Sequence, residues 1–391
     1  MKQPVITQTI QFKLLCSSCG KEYSSAIEQT FATCCNKTIL VEYDLAKANF
    51  LDVVKNESNN IWRYGSLLPV RNPKYIVSLN EGMTPILSLK KLANKYGYKE
   101  LMLKDESVNP TGSFKARGLS VAISKAKEFG RTSAIIPTAG NAGGALAAYC
   151  AKADIECTVI MPRHTPKIFK QECELFGAKL ILVDGLINDC GKKAMELNKE
   201  NQHFDFSTLK EPYRLEGKKT MGYEIAEQYN WDLPEYIIYP AGGGTGLIGI
   251  WKAFKELKQM GIIKGPLSKM VAVQSTVCAP IYKAVMDSIN WKDNFIPKVS
   301  IANGLAVPFP FGMDLILSVL KESNGRVCVV AENEILENIK EIGSVEGMIL
   351  SPEGAATWQA VKQLVEEKII QSSDRILILN TGIGYKYFEN L

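Results

Sequence analysis

The sequence predicts an α/β protein: two doubly wound sheets, with a short N-terminal Cys-containing extension of small strands. Three observations predict it. From about residue 76, apolar runs alternate with stretches of helical period, the signature of parallel strands joined by crossover helices. The alternation breaks at "STLKEPYRLEGKKT" (207–220) and then resumes, which makes two sheets. At 391 residues and 46% hydrophobic content, the chain can bury a large core spread over two or three domains.

The elements follow in order. "FKLLCSSCGKEYS" and "TFATCCNKTILVEYD" read as short strands around Cys pairs. "KNESNNIWRYGSLLPVRNPK" is rich in Asn and Pro and reads as a connecting arm. "ELMLKDE" is a strand and "SFKARGLSVAISKAKEFG" a helix ended by Gly130. "SAIIPTAG" is a strand and turn, "NAGGALAAYCAKAD" an Ala-rich helix, "ECTVIMP" a strand. The helix "PKIFKQECELFGA" ends at Gly177, then come the strand "KLILVD" and the helix "LINDCGKKAMELNKEN". After the break, "TMGYEIAEQYN" is a helix, "EYIIYPAGGG" a strand into a Gly turn, "TGLIGIWKAFKELKQMG" a helix and "KMVAVQS" a strand. "ATWQAVKQLVEEK" and "DRILILNTGIG" repeat the theme.

Composition excludes several function classes. The net charge of +5 is spread along the chain without a basic block, which argues against nucleic acid as a partner. No apolar run reaches the roughly 18 residues of a membrane helix, and the N-terminus lacks a signal-peptide core. Ten scattered cysteines in so long and apolar a chain read as free thiols in a reducing cytoplasm. With only His164 and His203 present, acid–base chemistry falls to Lys, carboxylates or a cofactor.

Ligands bind beyond the carboxyl ends of strands in open α/β sheets. Four unusual turns sit at such ends: "NPTGSFKARG", "PTAGNAGG", "PAGGGTG" and "NTGIG". They are expected to converge on one site. The glycines of "PAGGGTG" (240–246) open a helix and read as a phosphate cradle, or as a tight turn with no ligand. The formal G-x-G-x-x-G there lacks an acidic ribose ligand on the next strand, which offers only Gln274, so no dinucleotide is expected. Asn141 can bond a ring substituent or a carboxylate, though it could equally serve as a helix cap. Thr381 offers a neutral hydroxyl to a ring nitrogen, or simply closes a turn. Lys115 sits among Gly, Ser and Asn at a strand-to-helix junction. Lysines form Schiff bases, and burial makes them nucleophilic. A lysine, a phosphate cup and a ring-binding Asn together describe a pyridoxal 5′-phosphate (PLP) site.

"SFKARG", "AGNAGGALAAY", "PAGGGTGLIG" and "TGIGYK" resemble the fold-type II (tryptophan synthase β-like) PLP enzymes, and within them the threonine synthase family. "CSSCG…CC", "WRYGSLLPV", "VSLNEGMTPIL", "PYRLEGKKTMGYEIAEQ" and "SPEGAAT" extend the likeness from about residue 12 to 388. The resemblance implies that Lys115 holds PLP and shuttles protons. It implies that Asn141 bonds the phenolic oxygen, that Gly242, Gly243, Gly244 and Thr245 cradle the phosphate, and that Thr381 faces the pyridine nitrogen. It implies substrate contacts at Thr138, Ala139 and Arg214, with Lys218 and Lys219 as weaker candidates that a solvated basic stretch would also explain. The reaction it implies turns O-phospho-L-homoserine and water into L-threonine and phosphate, in a cytoplasmic homodimer. A threonine or serine deaminase-like lyase, or another PLP amino-acid enzyme of the same fold, is the alternative, because Ala116, Ala139, Ala142 and Glu211 depart from the usual threonine synthase residues.

The division expected from this likeness is a ribbon-like extension and arm over 1–60, a large PLP domain from 61–116 plus 211–391, and a small α/β domain over 117–210. Cys16 and Cys19 have zinc-knuckle spacing, but Cys34 and Cys35 are adjacent and poorly spaced for one tetrahedral ion. The expectation is therefore a metal-free flap, with these four cysteines the candidates if a metal binds.

Overall fold

Strict alternation over two short segments makes the first sheet. β1 (Phe12–Cys16) pairs antiparallel with β2 (Glu22–Tyr23) and β3 (Ile39–Tyr43). Leu14, Val41 and Ile39 turn inward while Lys13 and Glu42 face out as a register pair. The computed structural model describes residues 9–48, 58–200, 202–287, 291–292 and 295–390. The expected extension over 1–60 thus lies partly outside the described residues.

The chain continues through β4 (Ile86–Ser88), α1 (Lys90–Tyr96), β5 (Glu100–Asp105), α2 (Lys115–Glu128), β6 (Ser133–Pro137), α3 (Asn141–Ala153), β7 (Glu156–Pro162), α4 (Lys167–Leu175), β8 (Lys179–Val183), α5 (Ile187–Leu197) and β9 (Phe204–Asp205). Then follow α6 (Tyr213–Gln228), β10 (Tyr236–Pro240), α7 (Thr245–Gln259), β11 (Lys269–Ser275), α8 (Pro280–Met286), α9 (Met313–Glu322), β12 (Arg326–Val330), α10 (Glu332–Glu346), α11 (Pro352–Glu366) and β13 (Arg375–Asn380).

Two compact units result. One takes the described residues of Met1–Met83, Asn109–Met221 and Lys255–Ile262; the other takes those of Thr84–Val108, Gly222–Phe254 and Ile263–Leu391. The first unit holds the N-terminal sheet and a parallel sheet of order β8-β7-β6-β9. The second holds a six-stranded sheet of order β12-β11-β10-β13-β5-β4, parallel except for β4. This is the expected α/β architecture with two doubly wound sheets. In the second unit Leu103, Ile238, Val271, Ile376 and Ile378 meet Trp358 of α11 in one core. Parallel strands buried on both faces read as continuous apolar runs, which is why these were visible in the sequence.

The helix expected at 220 begins seven residues earlier, at Tyr213, so "YRLEGKKT" is helical, and the chain passes from the first parallel sheet to the second through this helix. All ten cysteines are free thiols, and the six later ones are buried. Among the described residues no helix is long and apolar enough to cross a membrane.

Candidate active site

In the first unit, Asn109 sets up the lysine junction. Its Oδ1 accepts the Gly82 N–H at 2.9 Å, and its carbonyl accepts the Gly112 N–H at 2.9 Å. Thr111 and Gly112 adopt left-handed φ of 61° and 62°, turning the chain sharply after β5. Ser113 and Phe114 are buried, and Lys115 starts α2, itself half-buried. Its Nζ lies 4.0 Å from the centroid of the Phe114 ring, within cation–π range. Ser113 Oγ is enclosed without a hydrogen-bond partner in the protein.

A second ammonium reaches the same ring: Lys218 Nζ of α6 lies 4.3 Å from its centroid. Two glycines permit this. A Cβ on Gly118 would fall 2.8 Å from the Arg214 carbonyl oxygen, and one on Gly217 would fall 2.1 Å from that of Arg117. The backbones of α2 and α6 therefore touch, and α6 delivers Arg214 and Lys218 to the lysine junction.

Both side chains are starved of partners. Lys218 is fully buried, and its Nζ has no hydrogen bond in the protein. Burial, reinforced by the charges of Lys115 and Arg214, pushes its ammonium well below its ordinary range. Arg214 is buried; one guanidinium nitrogen donates to the Phe206 carbonyl, and Nε has no partner. Burial pulls its pKa down too, with Glu211 and Asp205 opposing. Lys219 differs. It is equally buried but ion-paired with Glu216 at 2.7 Å and Glu256 at 3.1 Å, donates to the Leu67 carbonyl at 3.1 Å, and lies 4.1 Å from the Tyr43 ring centroid. Neither lysine belongs to a solvated stretch; Lys219 is part of the scaffold, and Lys218 is buried with its hydrogen-bonding capacity unused.

Glu211 lies within electrostatic reach of both cations. Its Oε2 accepts the Tyr213 and Arg214 N–H groups at 2.7 and 3.0 Å, which caps α6. Burial pushes its pKa up to about 7 against the pull of Arg214. Near neutrality it is protonated much of the time.

The Asn141 turn lies in the same unit. Gly140 precedes α3 without a side-chain cap, and Asn141 is the first helical residue, so its side chain is not spent as the N-cap. Gly140 N–H donates to Thr138 Oγ1 at 3.3 Å. Thr138 is buried and Ala139 half-buried. Gly143 and Gly144 let α3 sit tightly on Met161 and Glu172, where a Cβ would meet them at 2.6 and 2.2 Å. α3 packs on α2 and on the Pro110–Gly112 turn, so Asn141, Lys115, Arg214 and Lys218 belong to one packed group of elements.

The second unit carries the glycine turn after β10 and Thr381 after β13. A Cβ on Gly242 would lie 2.0 Å from the Gly304 carbonyl oxygen. Gly244 has φ +72°, and a Cβ there would strike Ile316 at 2.3 Å. A Cβ on Gly246 would meet the Tyr239 hydroxyl at 1.9 Å, so that glycine serves packing. The turn opens the 15-residue α7, and Thr245 is buried at its start. Gln274 is a structural cap: its Oε1 accepts the Ile281 and Tyr282 N–H groups at 2.8 and 3.1 Å, and Nε2 donates to Ala241 O at 3.2 Å. Asn380 Nδ2 donates to Asp105 Oδ1 at 2.9 Å, pinning the ends of β13 and β5 and presenting buried Thr381 just beyond.

Glu353 has no role in the sequence reading. Its Oε1 accepts the Gly304 N–H at 2.7 Å and the Tyr387 hydroxyl at 3.1 Å, so it fixes the loop that walls the glycine turn. Its Oε2 is buried with no hydrogen-bond partner in the protein. It lies in the "SPEGAAT" segment, whose only signal in the sequence is its family likeness. At the N-terminus, the structure brings all four early cysteines together, with their sulfurs within 4.8 Å of one another.

Each unit by itself offers groups that fit PLP. In the second, Gly242 and Gly244 leave the start of the 15-residue α7 without side chains, an arrangement able to bind an anion. In the first, Lys115 carries an amine, and Ser113 Oγ is buried without a hydrogen-bond partner in the protein.

Comparison with known proteins agrees. Residues 77–382 match the family described as pyridoxal-phosphate dependent enzyme. A threonine synthase of Methanocaldococcus jannaschii is 35% identical over 382 residues, covering 95% of this chain and 92% of that protein. One from Methanosarcina acetivorans is 33% identical over 379 residues, with 95% and 91% covered. Among solved structures, maize serine racemase matches with a TM-score of 0.65 at 22% identity, covering 78% of this chain and 93% of that one. The processed form of threonine deaminase isoform 2 from Solanum lycopersicum matches with a TM-score of 0.63 at 20% identity, covering 78% and 82%. The chain therefore belongs to the fold-type II pyridoxal-phosphate-dependent enzymes and, within them, to the threonine synthase family.

Proposed function

We propose that the protein is a threonine synthase, converting O-phospho-L-homoserine and water to L-threonine and phosphate. One observation carries the choice of a phosphorylated substrate. The glycine turn provides for one phosphate, and the Arg214–Lys218 pair is a second, partner-starved anion site in the unit that carries Lys115. A cofactor phosphate occupies the first; a substrate phosphate suits the second. A deaminase acting on unphosphorylated serine or threonine has no use for two buried cations there.

When bound, PLP supplies an electron sink for the carbanion at the substrate's α-carbon. Lys115 Nζ holds the cofactor and, once displaced, takes and returns protons at Cα and Cβ. Asn141 bonds the cofactor's ring oxygen, and the N–H groups of Gly242, Gly243, Gly244 and Thr245 take its phosphate. The neutral Thr381 hydroxyl faces the ring nitrogen without fixing a proton on it. Thr138 and Ala139 hold the substrate carboxylate. Arg214 and Lys218 hold the substrate phosphate and stabilise it as it leaves Cγ, and water then adds at Cβ. The same reading makes the enzyme a cytoplasmic homodimer.

The test is product analysis. The purified, PLP-loaded protein given O-phospho-L-homoserine should release threonine and phosphate in equal amounts. Formation of 2-oxobutyrate or pyruvate from threonine or serine, with no phosphate released from the phosphorylated substrate, would overturn the reading.

A further inference from the structure

The N-terminal sheet is small. β1, β2 and β3 are five, two and five residues long. Sheets this small commonly rely on a cross-link. Two tight turns beside it each carry two cysteines. In the first, the Ser18 N–H donates to Cys16 Sγ at 3.4 Å and the Gly20 N–H to the Cys16 carbonyl at 3.0 Å. Gly20, at φ 70°, turns the chain back into β2. The second turn is closed by reciprocal hydrogen bonds between Ala32 and Lys37, at 2.7 and 3.3 Å, with Asn36 at φ 53°. The Cys34 N–H donates to the Tyr23 hydroxyl at 3.1 Å, which ties this turn to β2.

Cys34 and Cys35 lack the C-x-x-C spacing of a zinc knuckle, and in a regular element adjacent side chains diverge, so they look like a poor ligand pair in sequence. They sit in a turn, where the rule does not apply. Both sulfurs join those of Cys16 and Cys19 in a group whose members all lie within 4.8 Å of one another, with Cys19 and Cys34 at 3.5 Å.

We infer that these four cysteines hold one zinc ion as a closed tetrathiolate site. A tetrahedral ion with Zn–S bonds of about 2.3 Å spaces its sulfurs about 3.8 Å apart. A disulfide needs about 2.0 Å. The observed sulfurs, 3.5 Å apart at Cys19–Cys34 and all within 4.8 Å of one another, are far nearer the metal spacing than the disulfide one, and all four are free thiols. Four soft ligands in a closed set suit zinc, which needs no open position for a structural role. Binding releases four protons from the thiols and transfers no electron. Lys21 and Lys37 flank the turns in sequence and offset the two negative charges left on the site. The ion clamps the turns at one end of the sheet whose other end carries Tyr43, packed on the scaffold lysine Lys219.

The full-length protein, purified from zinc-supplemented medium, should contain one zinc per chain by elemental analysis. Its four N-terminal thiols should resist a thiol reagent until a chelator is added. Cobalt(II) exchanged into the wild-type protein should give intense tetrahedral d–d bands and a thiolate charge-transfer band. Cys19→Ser and Cys34→Ser, both at exposed cysteines, should each abolish the cobalt spectrum. The cobalt and thiol measurements on the wild-type protein stand even where a variant fails to fold. The inference is overturned by freshly purified protein without bound zinc whose four thiols react at once and give no tetrahedral cobalt spectrum. A Cys19–Cys34 disulfide in the same fresh protein would overturn it equally.

Discussion

Lys115 and Lys218 lie against one aromatic ring, their ammonium nitrogens 4.0 and 4.3 Å from the centroid of Phe114. Protonating both there sets like charges against each other, and the Lys218 nitrogen has no hydrogen-bond partner in the protein. A substrate phosphate relieves this repulsion directly. Replacing Lys218 by Met should therefore leave cofactor loading intact and raise KM for O-phospho-L-homoserine. A charge-assisted hydrogen bond of about 1.5–3 kcal/mol corresponds to a rise of roughly 10- to 100-fold. Steady-state kinetics beside the cofactor's visible absorbance checks both halves; an unchanged KM would remove Lys218 from the phosphate site.

The same electrostatics predicts proton uptake. Lys218 is held well below its ordinary range in the free protein, and a phosphate dianion restores its positive form. Inorganic phosphate should bind with uptake of protons, and its affinity should fall as pH rises. Calorimetry in two buffers of different ionisation enthalpy measures the uptake, which Lys218→Met should diminish.

Glu211 gives a stability prediction with a definite sign. Its folded pKa is raised from 4.5 to about 7 by burial. Between those values the folded state binds the proton that the unfolded state has released. Its contribution is thus fully present below about pH 4.5 and is lost as pH rises through about 7. The full span is on the order of 3 kcal/mol. Glu211→Gln keeps an oxygen to accept the Tyr213 and Arg214 N–H groups and has no proton to lose. Urea unfolding from pH 5 to 8 should decline less steeply in this variant than in the wild type.

The helix crossing is a packing prediction. A Cβ at Gly217 would press on the Arg117 carbonyl at 2.1 Å, and backbone has little freedom to move away. Gly217→Ala should cost about 1–3 kcal/mol of stability, the usual penalty of overpacking. It should also weaken substrate binding, because α6 carries Arg214 and Lys218. Thermal unfolding and KM read the two effects separately.

Lys115→Ala should abolish both the visible absorbance of the bound cofactor and turnover, while leaving the far-ultraviolet circular dichroism unchanged. Retained absorbance would reassign the cofactor lysine.

Local chemistry was legible in the sequence. A lysine among glycines and a glycine turn at a strand end announce themselves, and the parallel strands did so through unbroken apolar runs. The start of α6 did not. Arg214, Glu216, Lys218 and Lys219 are all buried there, and a pattern that treats charge as solvent-facing reads such a helix as a loop. The contact between Gly118 and Gly217 is likewise invisible in one dimension, because each glycine is explained only by the other helix. Glu353 acts on Gly304, 49 positions away in the chain, and no local signal joins them.

The dipeptide Lys218–Lys219 has a consequence for engineering. Lys219, enclosed by Glu216, Glu256, the Leu67 carbonyl and Tyr43, should tolerate almost no replacement, since removing it leaves buried carboxylates uncompensated. Lys218 has the opposite character: an apolar residue of its length should make the empty enzyme more heat-resistant while blunting its grip on substrate. A consensus or thermostability screen run without substrate would select against the very side chain that recognition needs, so ligand must be present during any such selection.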